Sequence, residues 1–232
     1  MNTIVQIKTI LQKAKTIPDE HLSRFFKTGP NTYGEHDRFI GVRVPDIRNI
    51  ARDFFHLTLD QITILLTSPF NEERLLALII LVTQYQKSEE DHKEIIYQFY
   101  LNNMRYVNNW NLVDSSAHFI IGAHLLKKDK DILITLAHSK NMWERRISIV
   151  ATWYFIRHQE LSWTMKIAQL LLKDTHDLIH KAVGWMLREA GKKDKNALIE
   201  FLNNYKNSMP RTMLRYAIEK FNEEEKKTFL ST

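Results

Sequence analysis

The strongest constraint on this chain is a recurring pair: a polar residue three positions before a small or β-branched one. The pairs are Arg48 with Ala51, Arg74 with Ala77, Asp114 with Ala117, Arg146 with Ile149, Lys181 with Gly184, and Arg215 with Ile218. Successive spacings are 26, 40, 32, 35 and 34 residues. Recurrence at that interval marks helical solenoids, whose units bury their apolar faces only by stacking on their neighbours. If the six segments are equivalent helices, their polar members line one face of a curved stack. Five of the six are cations, which suits a phosphate backbone. The third is a carboxylate, which repels phosphate and needs another reason to be there.

The local pattern agrees. Ile4, Ile7, Ile10 and Leu11 mark a helix over 3–15, and Pro18-Asp19-Glu20 opens another through Phe26. Gly29, Pro30, Gly34 and Gly41 gather in 28–44, which reads as the longest loop. Helices are expected over 45–55, 58–67, 71–86 (capped by Asn71) and 88–105, the last opened by a Ser88–Asp91 capping box. The helix carrying Asp114 follows Val107-Asn108-Asn109-Trp110 and ends near Lys127. Further helices are expected over 129–139, 142–158, 162–173, 175–190, 195–205, 210–221 and 223–230. No strand pattern competes, and no charge run or Ser/Gly-rich linker divides the chain. The expectation is one all-α domain over 1–232.

Composition removes several chemistries. The chain has no cysteine, so disulfides, thiolate catalysis and Cys-based zinc sites are excluded. Apolar residues at 44% and charged residues at 26% fit a folded chain rather than a disordered one. The start, MNTIVQIKTILQKAKT, has too little uninterrupted apolar sequence for a secretory signal, and no run approaches the ~18 apolar residues of a membrane span. A cytoplasmic location is the expectation. The net charge of +6 is a weak pointer by itself. Its placement says more, because Arg145, Arg146, Lys181, Arg188, Arg211 and Arg215 recur inside otherwise apolar helices.

Each candidate has a structural reading beside a chemical one. Trp110 and Asp114, four apart, share a helix face or a helix entrance. Asp114 could simply favour a helix N-terminus, with Trp110 packing on a neighbour. Within a cationic groove, however, it could face a sugar carbon and stabilise positive charge during glycosidic cleavage. Trp143 and Trp185, near Arg146 and Lys181, are core residues or an aromatic surface for a cationic base. Trp153 and Trp163 fall outside the row and are assigned to packing. Arg145 and Arg146 point about 100° apart, so Arg146 is expected to face the groove and Arg145 to pair locally. Arg188 lies two turns after Lys181 on the same face. His176 and His180 have a spacing that can bind zinc, but capping and packing suit them better without a third ligand. Glu35-His36-Asp37 reads as a turn held by local hydrogen bonds.

The segments FIGVRVPDIR (39–48), NNWNLVD (108–114), WERRISI (143–149) and HKAVGWMLRE (180–189) resemble the AlkD-like DNA alkylation repair family, in order and over nearly the whole chain. The resemblance implies a HEAT-like helical repeat solenoid with a concave basic face for duplex DNA. It also implies excision of cationic alkylated bases, 3-methyladenine and 7-methylguanine, by a monomer without metal or cofactor. By position, Trp110 and Asp114 match the family's catalytic tryptophan and aspartate, and Trp185 a second aromatic wall. Arg146 and Arg188 match residues near the DNA backbone. Lys181 and Arg215 join them through the row, and Arg43 from the long loop. The chain departs from the pattern at Asn111, where the family often has aspartate. Two alternatives stay open: a non-catalytic HEAT-repeat protein binding damaged or branched DNA, and a scaffold whose groove holds a peptide.

Overall fold

The computed structural model describes residues 3–231. They are mostly helical and divide into two compact units, one up to Ser116 and one from Ala117. The single-domain expectation spans 1–232, of which residues 1, 2 and 232 lie outside the described residues.

The first unit contains α1 (Thr3–Lys13), α2 (Asp19–Phe26), α3 (Val44–Asp53), α4 (Leu59–Leu66), α5 (Asn71–Lys87), α6 (Glu90–Asn102) and the start of α7 (Trp110–Ala117). Its organising element is α5, where Leu75, Leu76, Ala77, Leu78, Ile80 and Leu81 are all buried. A helix apolar on every side has to sit inside other helices, and α3, α4 and α6 pack around it. The run LLALIILV, with no polar residue to make a wet face, dictates that position. Each fully buried leucine or isoleucine contributes roughly 1.5–3 kcal/mol.

In the second unit, the π turn His118–Gly122 and α8 (Ala123–Leu125) are followed by α9 (Asp131–Ala137) and α10 (Met142–Arg157). Next come α11 (Ser162–Leu170), α12 (Asp177–Gly191), α13 (Lys195–Tyr205), α14 (Arg211–Ala217) and α15 (Glu223–Leu230). Here α10 is the enclosed helix, burying Ile147, Ile149, Val150, Ala151 and Phe155 against α9, α11, α12 and the π turn. α12 in turn packs on α13 and α14.

The apolar half of the recurring pair is core at every repeat: Ala51, Ala77, Ala117, Ile149 and Ile218 are at most 2% exposed, and Gly184 is buried. Gly184 shows why size matters there, since a Cβ at that position would meet the Met213 carbonyl oxygen and the Tyr216 Cβ at 2.5 Å each. The polar half is not uniform. Arg48 and Arg215 are exposed, Asp114 and Lys181 half-buried, and Arg74 and Arg146 buried.

Helix ends differ in detail from expectation. Asn71, expected to cap α5, is its first residue; Phe70 holds the cap position without a side-chain bond. Ser88 donates to the Gln84 carbonyl instead of capping α6. Complete capping boxes occur at Thr58 with Gln61 and at Asn222 with Glu225. Segment 27–43 is irregular, as expected, and firmly held. The Glu72 carboxylate accepts from the N–H groups of Ile40, Gly41 and Val42, and the Gly41 carbonyl accepts from Thr16 and Ile17. Gly41 adopts φ 100°, a conformation open to glycine and strained for other residues.

Gly184→Ala is expected to lower stability by roughly 1–3 kcal/mol, the cost of overpacking two helices in contact. Urea midpoints of the two proteins measure it, and an unchanged midpoint would show that α12 and α14 can move apart freely.

Candidate active site

The start of α7 is built by its asparagines. Asn109 immediately precedes the helix: its Oδ1 accepts from the Trp110 N–H at 2.7 Å, and its carbonyl accepts from Leu112 and Val113. That satisfies N–H groups a helix N-terminus otherwise leaves unpaired. The inner face of α7 is anchored to α6 through the Tyr100 hydroxyl, 2.9 Å from Ser116 Oγ, which donates in turn to the Leu112 carbonyl. Burial pushes the Tyr100 phenol above its ordinary range. The Ser116 bond opposes that shift, and the Asp114 charge adds to it.

Trp110 and Asp114 share α7 one turn apart, both half-buried. The Trp110 indole stacks on Phe26 (5.2 Å between centroids, 15° between planes) and meets Phe25 edge to face (5.4 Å, 74°). Phe26 stacks in turn on Phe39 at 4.4 Å. Beside these rings a cavity of about 180 Å³ is lined by Phe25, Phe26, Phe39 and Arg43, with Asn71 and Asn111 among its polar walls.

Asn111 lies 9% exposed in a reciprocal amide pair. Its Nδ2 donates to Asn71 Oδ1 at 2.7 Å, and Asn71 Nδ2 donates back at 3.3 Å. Asn71 Nδ2 also donates to Asp37 Oδ2 at 3.0 Å, and so does Asn109 Nδ2. The other oxygen of Asp37 pairs with Arg74, whose Nη1 donates to the Ser68 carbonyl at 2.8 Å. The expected local turn is present, with the Asp37 N–H donating to the Gly34 carbonyl at 2.9 Å and the Glu35 carboxylate accepting from the Asn31 N–H, but the Asp37 carboxylate makes long-range bonds besides. Nothing in the loop's composition signals this; only Asn109, an amide just before a helix, carries a readable cue.

Trp185, in the second unit, is half-buried and meets Trp153 edge to face at 4.9 Å; Trp153 contacts His118 at 4.5 Å. Trp153 thus belongs to the aromatic cluster that holds Trp185, a partnership its sequence position did not reveal. Trp143 is core, at 8% exposed.

The cations divide sharply. Arg145 donates to the nearby Ser139 carbonyl at 3.0 Å, and pairs with Asp174, 29 residues away, at 2.6 Å. Arg146 does not face a groove: it is 5% exposed and donates to the Leu178 carbonyl. Its side chain lies against a neighbouring helix rather than on the open face that periodicity assigned to it. Arg188 is half-buried and pairs with Glu189 and Glu219. The Lys181 ammonium lies 2.7 Å from Asp177, and its hydrogen bond is the main reason that carboxyl sits below its usual range. Arg43 is exposed, with Asp46 at 3.2 Å, and Arg215 is exposed.

The histidine pair has structural work. His176 Nδ1 accepts from the Leu178 N–H at 3.2 Å as the cap of α12, and His180 Nε2 bonds to the Asp174 carbonyl. Among the described residues, no group of three or more His, Cys, Asp or Glu could hold a metal ion. No helix among them is long and apolar enough to cross a membrane.

The chain belongs to the DNA alkylation repair enzyme family, whose model matches residues 7–221. A solved structure described as a predicted DNA alkylation repair enzyme from Enterococcus faecalis shares the fold. Its TM-score is 0.68 at 15% identity, over 88% of this chain and 95% of that one. None of the curated proteins compared with the chain matches it.

Burial holds the His176 imidazole below its ordinary value of 6.5. Its neutral ring is the capping form, so its contribution is fully present above pH 6.5 and is lost as pH falls through the lower folded value. His176→Asn, a cap that does not titrate, is expected to gain on wild type as pH falls below 6.5. Urea midpoints across a pH series check this; a constant difference between the two proteins would remove the titrating cap.

Proposed function

We propose that this chain is a DNA glycosylase of base excision repair. In this reading it hydrolyses the N-glycosidic bond of cationic alkylated purines, 3-methyladenine and 7-methylguanine, in duplex DNA. The observation that carries the reading is Asp114, half-buried on a pinned helix one turn after an indole already stacked on Phe26. Membership of the family supports the substrate class.

Alkylation at N3 of adenine or N7 of guanine puts a positive charge on the base. When the bond to C1′ breaks, its electron pair neutralises that charge, so no strong acid is needed to protonate the leaving group. What remains is the oxocarbenium-like sugar. The Asp114 carboxylate supplies the opposite charge from a fixed position, where it stabilises the transition state more than the ground state. Water then adds to C1′ and loses a proton, leaving free base and an abasic sugar. Trp110 offers an aromatic edge to the lesion's deoxyribose, and Trp185 is assigned a similar part. Duplex DNA is bound through its phosphates by exposed cations, of which Arg43 and Arg215 are the best presented; Lys181 and Arg188 can contribute if they exchange their present acidic partners for phosphate.

Asp114→Asn is expected to reduce single-turnover release of 7-methylguanine from methylated duplex by about 100-fold or more, with duplex binding little changed. Equal release by both proteins would end the assignment. Binding without release by wild type would favour a non-catalytic reader of damaged or branched DNA.

The cations can be tested separately. Arg43→Gln and Arg215→Gln should each lower the salt dependence of duplex binding by about one counterion. Arg146→Met should leave that slope unchanged while reducing stability by roughly 1–3 kcal/mol, because the Leu178 carbonyl loses a buried donor. A reduced slope for Arg146→Met would return that residue to the DNA.

A further inference from the structure

Two residues of the irregular segment reach Trp110 by different routes. Arg38 forms an isolated parallel bridge with Phe70: its N–H donates to the Pro69 carbonyl at 3.1 Å, and its own carbonyl accepts from the Asn71 N–H at 2.8 Å. The bridge fixes Arg38 in extended backbone, where alternate side chains point to opposite faces. Asp37 and Phe39 therefore project together while the Arg38 side chain is exposed. The Asp37 carboxylate accepts from Asn109 Nδ2, and Asn109 Oδ1 accepts from the Trp110 N–H. Phe39 stacks on Phe26, which stacks on the Trp110 indole. One route holds the backbone of Trp110 and the other its ring.

We infer that Asp37 and Phe39 are positioning residues for Trp110 and, through the first turn of α7, for Asp114. The inference rests on the glycosylase reading and deepens it: Asp37 and Phe39 set the geometry of the reacting groups without touching substrate. Two further features make the arrangement rigid. Asp37 is 4% exposed with its other oxygen on Arg74, so its carboxylate cannot swing. The same segment is tied to α5 through Glu72 on three successive N–H groups. A small misplacement of a catalytic group can cost on the order of 100-fold in rate, so a brace of this kind should be read in the chemical step rather than in binding.

The test uses three variants of the full chain beside wild type and Asp114→Asn. Asp37→Asn keeps an oxygen for Arg74 but turns a donor toward the Asn109 amide. Phe39→Leu removes the stacked ring while keeping apolar volume. The exchange D37N/N109D restores a donor–acceptor pair between the two positions and keeps an acceptor for the Trp110 N–H. Single-turnover release of 7-methylguanine and duplex Kd are measured for each. The expected result is a loss of about 10- to 100-fold in rate for Asp37→Asn and Phe39→Leu, with Kd within about threefold of wild type, and recovery of at least tenfold by the exchange over Asp37→Asn. Recovery separates positioning from simple loss of fold. Wild-type rates in folded Asp37→Asn and Phe39→Leu, or losses confined to Kd, would overturn the inference while leaving the glycosylase reading intact. If Asp37→Asn does not fold, Phe39→Leu and the exchange decide by the same rate-against-Kd criterion. No release by wild type, or full release by Asp114→Asn, would instead strike the reading itself and this inference with it.

Discussion

The ion pair of Asp37 with Arg74 is the interaction on which the start of α7 depends. Both side chains are about as buried as charged groups become, at 4% and 5% exposed. Removing a carboxylate and a guanidinium from water costs several kcal/mol each unless their remaining hydrogen-bonding positions are filled. Here they largely are: Arg74 also reaches the Ser68 carbonyl, and the second oxygen of Asp37 takes two asparagine amides. Leaving one charge without the other would cost roughly 3–5 kcal/mol, a large part of the 5–15 kcal/mol that holds a typical domain together. The pair therefore fixes three stretches at once: the irregular segment, the first turn of α5, and the residue that caps α7.

The contrast between the two halves of the recurring pair shows what sequence can and cannot disclose. Its apolar half was legible because a small residue at a fixed helical position is buried wherever helices stack, and all six behave so. Its polar half was not. Periodicity says which side of a helix a residue occupies, but not whether another element covers that side. Arg74 and Arg215 are equivalent by spacing, yet one lies against Asp37 and the other is exposed. Arg145 reaches Asp174 across 29 residues, and Arg146 donates to the carbonyl of Leu178 rather than face open space. The helices were easy to find because their apolar stripes are strong; the loop before α3 was also legible from its glycines and proline, but what holds it was not, because its order comes from Glu72 and Asp37 bonds spanning thirty residues and more.

The tryptophans follow the same rule. Spacing singled out Trp110 and Trp185 but described neither environment. Trp110 is held by two phenylalanines from α2, and Trp185 by Trp153, one indole against another. An aromatic ring fixed by edge-to-face or stacked neighbours gains about 0.5–1.5 kcal/mol per pair beyond burial. More important for a site, it loses rotameric freedom before any ligand arrives, so less ordering remains to be done on binding. Both residues are half-buried, so neither is wholly enclosed by the partners that hold its ring.

The asparagine at 111, where the resemblance leads one to expect aspartate, takes its meaning from the charge balance around Asp37. The connected side chains there are one carboxylate, one guanidinium and three amides, from Asn71, Asn109 and Asn111. The group is neutral as a whole. An aspartate at 111 would take away the donor that Asn71 Oδ1 now accepts from and leave that buried oxygen without a partner. It would also set a second carboxylate two bonds along the same chain of amides from the first, with a single arginine to serve both. Like charges in a buried setting raise one another's protonation energy. With the amide, Asp37 alone receives Arg74, and the nearest acid along α7 is Asp114 itself. Asn111 thus keeps the foundation of the helix uncharged and leaves the negative charge of α7 to the side chain assigned to the sugar.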